Sequence, residues 1–168
     1  MGNTTFSGPV RSENGFEQLD KNATTGAVDN TYYFQRIGRV TAPCVSSGDS
    51  VVSFTQPANT LLSKITIVCT SAPTISAGDI GFEVGTTSSG VDIVAADTND
   101  LLDGGTTVQV GAVSPCTLVA SSTTGAATHL TSIHYAAAER TVYCNITTST
   151  AVTTAGEFTF LIEFDQCA

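Results

Sequence analysis

With 168 residues the chain is long enough for one domain plus an appendage, a single domain commonly taking about 100–150 residues. Hydrophobic residues make up 41% and charged residues 12%, which excludes the charge-rich, Val/Ile/Phe-poor composition of a disordered chain. The net charge of −9 rests on only 6 Lys+Arg with no basic run, which argues against nucleic acid and against anionic membrane surfaces as partners, since both need clustered cations.

Residues 1–38 differ in character from the rest of the chain. Glycines and Pro9 punctuate them, and no stretch keeps a period of two or 3.6 long enough to predict an element. Met1 is followed by polar residues without an apolar run, so no signal peptide is expected, and no run approaches the roughly 20 apolar residues of a membrane span. A soluble protein made in a cytoplasm is the expectation. Phe6, Val10, Phe16 and the cluster Tyr32-Tyr33-Phe34 are nevertheless spaced through the segment. A disordered tail is normally poor in aromatics. The segment therefore reads as an extended arm, residues 1–38, whose aromatic residues anchor on a neighbouring subunit.

From Arg39 to Ala168 short strands succeed one another. Arg39–Val45, Ser50–Thr55 and Leu62–Thr70 are predicted strands, with Gln56-Pro57-Ala58-Asn59 as a turn. In the third, Ile65, Ile67 and Cys69 share one face. Asp79–Thr86 collects Ile80, Phe82 and Val84, and Gly90–Ala95 adds a further strand. Thr106–Val110 and Thr117–Ala120 are shorter strands, and Ala136–Glu139 reads as a helical turn. Glu139–Asp165 carries the clearest signal. Val142, Cys144 and Ile146 alternate with Tyr143, Asn145 and Thr147. Phe158, Phe160, Ile162 and Phe164 alternate with Thr159, Leu161, Glu163 and Asp165. A period of two marks strands with one buried face. Strands at this spacing predict an all-β fold over residues 39–168, a jelly-roll-like β-sandwich of eight strands in two sheets being the first choice over an immunoglobulin-like sandwich, which spacing alone does not separate from it.

No catalytic constellation is present: G-x-S-x-G, H-E-x-x-H, a Walker loop and G-x-G-x-x-G are all missing. His129 and His134 stand five apart, which on a strand puts them on opposite faces and suits no shared metal. Cys44, Cys69, Cys116, Cys144 and Cys167 are widely spread without a C-x-x-C pair, so they read as reduced thiols, those on strands being core residues. The acidic loop Asp97–Gly105 lacks the EF-hand pattern and reads as a solvated turn. The sequon Asn145-Ile146-Thr147, like those at Asn3 and Asn22, reads as an accident of Thr richness. No enzyme activity, metal or cofactor is expected.

The opening T-T-F-S-G-P-V-R-S-E-N-G-F, Thr4 to Phe16, resembles the start of small structural proteins encoded beside capsid genes in tailed bacteriophages. The later strands R-T-V-Y-C-N-I and F-T-F-L-I-E-F agree with that group in style. The resemblance implies a capsid decoration, or cement, protein. Such a protein is a β-domain, often a homotrimer, held on the outer capsid surface of the virion by an arm that clamps neighbouring major capsid subunits. On that implication the phage major capsid protein is the partner, and Phe6, Pro9, Val10, Arg11, Phe16, Tyr32, Tyr33, Phe34 and Arg36 form the interface. The alternative is a carbohydrate-binding head of a tail fibre or spike. It is weakened by the absence of Trp and an aromatic content of 7%, since glycan platforms are usually exposed aromatic rings.

Overall fold

The computed structural model describes residues 17–21, 24–25, 28–33, 36–45, 50–95, 102–121, 129–130 and 132–167. In chain order the strands are β1 (Glu17–Lys21), β2 (Val28–Tyr33), β3 (Arg36–Cys44), β4 (Ser50–Gln56), β5 (Thr60–Ser71), β6 (Thr74–Gly85) and β7 (Leu102–Thr107). They continue as β8 (Val113–Pro115), β9 (Ala120–Ser121), β10 (His129–Leu130), β11 (Tyr135–Ala136), β12 (Arg140–Thr148), β13 (Val152–Thr154) and β14 (Gly156–Gln166). Among the described residues the helical structure is a single 3₁₀ turn, Ser132–His134.

The chain is all-β, and its body is a β-sandwich-like pair of antiparallel sheets. The first sheet runs β3-β14-β5, with β8 and β11 pairing different stretches of β5. The second runs β4-β12-β6, with β7 and β13 pairing β6. Successive long strands are dealt to opposite sheets: β3 to the first, β4 to the second, β5 to the first, β6 to the second. The final alternating stretch divides in the same way, since β12 lies between β4 and β6 while β14 lies between β3 and β5. Gly156 opens β14 where the chain passes Pro73, and a Cβ there would lie 2.4 Å from the Pro73 nitrogen.

The core is the meeting of the two inner faces. Phe158, Phe160, Ile162 and Phe164 of β14 are buried, as are Ile65, Ile67 and Cys69 of β5. Ile80, Phe82 and Val84 of β6 and Val142, Cys144 and Ile146 of β12 answer them from the other sheet. The Phe82 ring stands edge-on to Phe158, with centroids 5.0 Å apart, and to Phe160, 5.9 Å apart. Such geometry aims the positive edge of one ring at the negative face of another.

Several expectations are corrected. The sequence shows no element before residue 39, yet β1 and β2 form an antiparallel ladder from Glu17↔Tyr33 to Lys21↔Val28, with a register shift at Asp20/Lys21. Polar strands of this kind pair through the backbone without an alternating apolar face to reveal them. β3 starts at Arg36, three residues before the predicted Arg39. Gly90–Ala95 is not a strand of a sheet. It makes one isolated bridge, Val84↔Val94, because the chain doubles back on the end of β6. Leu102–Gly105, expected in the acidic loop, belongs to β7, while residues 97–101 of that loop lie outside the described residues. Residues 117–119 are irregular between β8 and β9, and the expected helical turn at Ala136–Glu139 is displaced to Ser132–His134.

Because Phe82 bridges the two sheets, Phe82→Ala is expected to cost about 3–5 kcal/mol. The check is a urea titration, in which the midpoint falls while the m-value stays unchanged.

Candidate functional site

The residues that the sequence singles out for binding fall on or before the first strands. Phe6, Pro9, Val10, Arg11, Phe16 and Phe34 lie outside the described residues. Tyr32 and Tyr33 are the last two residues of β2, in register with Gln18 and Glu17 of β1. Arg36 opens β3 opposite Phe164. The described part of this set therefore lies at the end of β2 and the start of β3.

The outer face of that sheet is a regular grid. One row holds Thr41, Thr159, Val68 and Val113, and the next holds Arg39, Leu161, Thr66 and Pro115. Ile37, 65% exposed, continues the face beside Glu163. Thr159 is buried despite facing outward, and its hydroxyl lies 3.0 Å from that of Thr41. Lys64 Nζ donates to Glu163 Oε1 at 3.0 Å, an exposed ion pair of small energetic worth.

On the second sheet a short loop straps the outer face. Asp92 accepts from the Thr86 backbone N–H at 2.9 Å and from the Thr86 hydroxyl at 2.8 Å. Asn145 of β12 points outward yet is only 1% exposed, because it donates Nδ2 to the Ser88 carbonyl at 3.0 Å beneath the strap. Gly85 and Gly90 let the two arms of the strap touch, since a Cβ on Gly85 would lie 2.3 Å from the Gly90 carbonyl carbon. Burial raises the Asp92 carboxyl, but the Thr86 hydrogen bonds and the Arg140 charge outweigh it and hold the group below the usual carboxylate range.

A buried polar cluster closes one end of the sandwich. Gln56, at the end of β4, donates Nε2 to the backbone carbonyls of Thr60 at 3.1 Å and His134 at 2.9 Å. Its Oε1 accepts from Arg140 Nε at 3.0 Å and Nη2 at 2.9 Å, and Arg140 also donates to the Ile133 carbonyl. Burial lowers the Arg140 guanidinium, and the Asp92 charge opposes it. This cluster ties β4 and β12 of one sheet to β5 and the 3₁₀ turn beside the other. His134 is fully buried here. The strand rule applied to His129 and His134 does not hold, because the 3₁₀ turn intervenes between β10 and β11.

The five thiols are free, with Cys44, Cys69 and Cys144 buried and Cys167 exposed. Burial pushes the Cys116 thiol up to about 12, and burial also raises Cys44, Cys69 and Cys144. These are poor nucleophiles, since the thiolate is the reactive form. Among the described residues no group of three or more His, Cys, Asp or Glu converges as a metal site would require. A cleft of about 210 Å³ lies at the end of the first sheet where β3 and β5 stop and β14 begins, lined by Pro43, Val45, Ser71, Ala155, Gly156 and Glu157. Its single carboxylate, Glu157, pairs in register with Ser71, and no histidine, lysine or thiol stands among those residues. Gln56, Asp92 and Arg140 are not marked by the sequence, and Asn145 is marked there only as a sequon. For Asp92 a signal existed in the Gly/Ser/Thr run ending G-V-D, a composition that favours side chain-to-backbone capping.

No protein-family model, curated protein or solved structure matches the chain.

Gln56→Ala strands the Arg140 donors and two carbonyls, so a loss of about 2–4 kcal/mol in a denaturant titration is expected. Asp92, with its folded pKa lowered, contributes stability that is complete above the unfolded value of about 4 and is lost as pH falls through the folded one. Thermal melts from about pH 6 to about pH 3 should therefore show a flatter acid dependence for Asp92→Asn than for the parent chain.

Proposed function

We propose that this chain is a structural virion protein, a capsid decoration protein that binds the outer surface of a tailed-phage head and bridges neighbouring major capsid subunits. The observation that carries the reading is the strand order. The two antiparallel sheets, β3-β14-β5-β8 and β4-β12-β6-β7, with β3 to β6 dealt alternately between them, are compatible with a jelly roll, an architecture used by viral capsid and lectin domains. The S-G-P-V-R-S-E-N-G-F motif at Ser7–Phe16 adds the phage association.

In this reading the sandwich is the rigid body and residues 1–38 supply the attachment. Phe6, Val10 and Phe16 fill pockets on the shell, with Pro9 limiting the freedom of the chain between them. Tyr32, Tyr33 and Phe34 extend the contact towards the sandwich. Arg11, Arg36 and Arg39 meet acidic groups of the capsid. Extended segments bind by adding backbone hydrogen bonds to an exposed edge, and alternate side chains give the specificity. Several weak copies of such a contact on one particle multiply into firm attachment.

The test uses the full-length chain and phage heads stripped of their decoration. Phe6→Ser combined with Phe16→Ser is expected to reduce head binding at least tenfold in a co-sedimentation assay, with the circular dichroism spectrum unchanged. Undiminished binding by that variant would refute the arm as the attachment. Failure of the parent chain to bind heads, together with specific capture on a glycan array, would favour the lectin-like use of the same architecture.

A further inference from the structure

The strap over the second sheet buries an acceptor that no donor reaches. Asn145 spends its Nδ2 on the Ser88 carbonyl, and among the described residues nothing donates to its Oδ1, although that atom is fully buried. A buried acceptor left without a donor is costly, and buried polar atoms are nearly always paired. Turning the amide over sets Oδ1 against the Ser88 carbonyl, so the defect remains. The groups around Asn145 are oxygen acceptors as well. Glu83 of β6 is its direct partner in the ladder, shares its face and is partly buried. Two residues along, Tyr143 is paired with Gly85, and over Gly85 the strap brings down Asp92. A Cβ on Gly85 would lie 2.5 Å from Asp92 Oδ1 and 2.4 Å from the Gly90 carbonyl oxygen. Thr87 Oγ1 and Asp92 Oδ1 each lie 2.9 Å from the position that a Cβ on Gly90 would take. Positive charge is scarce here. β4 and β6 contain no Lys or Arg, and β12 has only Arg140, whose Nε and Nη2 are spent on Gln56 and the Ile133 carbonyl. Thr86 gives one hydrogen bond to each Asp92 oxygen, which leaves a lone pair on both.

We propose that the oxygens beneath the strap form a binding site for a hard divalent cation of the calcium class, held by Asn145 Oδ1, the Glu83 and Asp92 carboxylates and oxygens of strap residues 87–90. A cation is what a cluster of acceptors lacks. A water has two hydrogens and answers two acceptors, whereas a cation answers several at once and offsets the two carboxylates. Two acidic residues fall short of the three or more His, Cys, Asp or Glu that other metal centres draw on. Calcium, however, takes roughly 6–8 oxygens and accepts amide and backbone carbonyls among them. Its coordination is flexible, which suits ligands drawn from a loop and two strands. Magnesium is smaller and strictly octahedral, and it fits such a set less well. The net charge of −9 raises the concentration of cations near the surface. Because its ligands come from β6, β12 and the strap between them, a bound ion pins the strap to the sheet, and binding stabilises the folded chain.

The experiment takes the full-length chain, treated with a chelator, and adds calcium chloride up to about 10 mM while the thermal midpoint is read. Terbium serves as a luminescent probe of the same site, excited through Tyr143 beside the strap. The midpoint is expected to rise with the logarithm of the calcium concentration, and calcium is expected to displace terbium. Glu83→Gln keeps the shape of the side chain and removes its charge. It should weaken calcium and terbium binding at least tenfold, while the chelator-treated variant keeps the circular dichroism spectrum of the parent. A midpoint that calcium moves no further than magnesium does at the same ionic strength overturns the proposal without any variant. A calcium response that Glu83→Gln leaves intact overturns it as well, by placing the ion on other oxygens.

Discussion

The ring of Phe82 held edge-on against Phe158 and Phe160 is the contact on which the sandwich depends. It is the point where β6 of one sheet and β14 of the other are locked in phase. For it to form, each strand must keep its apolar set turned inward over its whole length, because a slip of one residue would carry every Phe of β14 to the outside. The bulges in the β14–β5 ladder at Glu157/Phe158 and Glu163/Phe164 absorb the mismatch between the two strands without breaking that phase. Close packing between the sheets leaves the polar groups to be satisfied at the borders. Gln56 does so at one end, and the Asp92–Thr86 pair does so over the outer face.

How much of this was legible in the sequence depended on how local the cause was. The alternation in β14 and in β5 gave both strands and their buried faces, because each residue's fate is decided by its own parity. That β12 and β14 belong to opposite sheets was not legible, since both alternate equally well and only long-range pairing separates them. Asn145 shows the same limit. Its parity points outward, and its burial comes from a loop some sixty residues earlier in the chain folding over it. Gly90–Ala95 has the composition of a strand but spends its hydrogen bonds on Val84 in a fold-back. The β1–β2 ladder escaped notice because its strands alternate no apolar face. Of the candidate binding residues, the sequence supplied identities and the structure supplies positions for Tyr32, Tyr33 and Arg36, on the strands β2 and β3.

The body and the borders of the molecule divide the work. The interior is committed to packing, with thiols whose ionisation burial suppresses. The outer face of the first sheet carries Thr, Val, Leu, Pro and Arg39, and on it Lys64 and Glu163 form an ion pair.

The position of β14 also governs how the chain can come into being. The middle strand of the first sheet, β14, is synthesised well after its two neighbours, β3 and β5. While the ribosome is still making residues before 156, β3 has no partner and the inner face of β5 lacks its principal cover. Closing loops of this length is a slow step, and unpaired strands invite aggregation in the interval. Closure of the first sheet therefore waits on β14, whose pairings with β3 and β5 span a long stretch of chain.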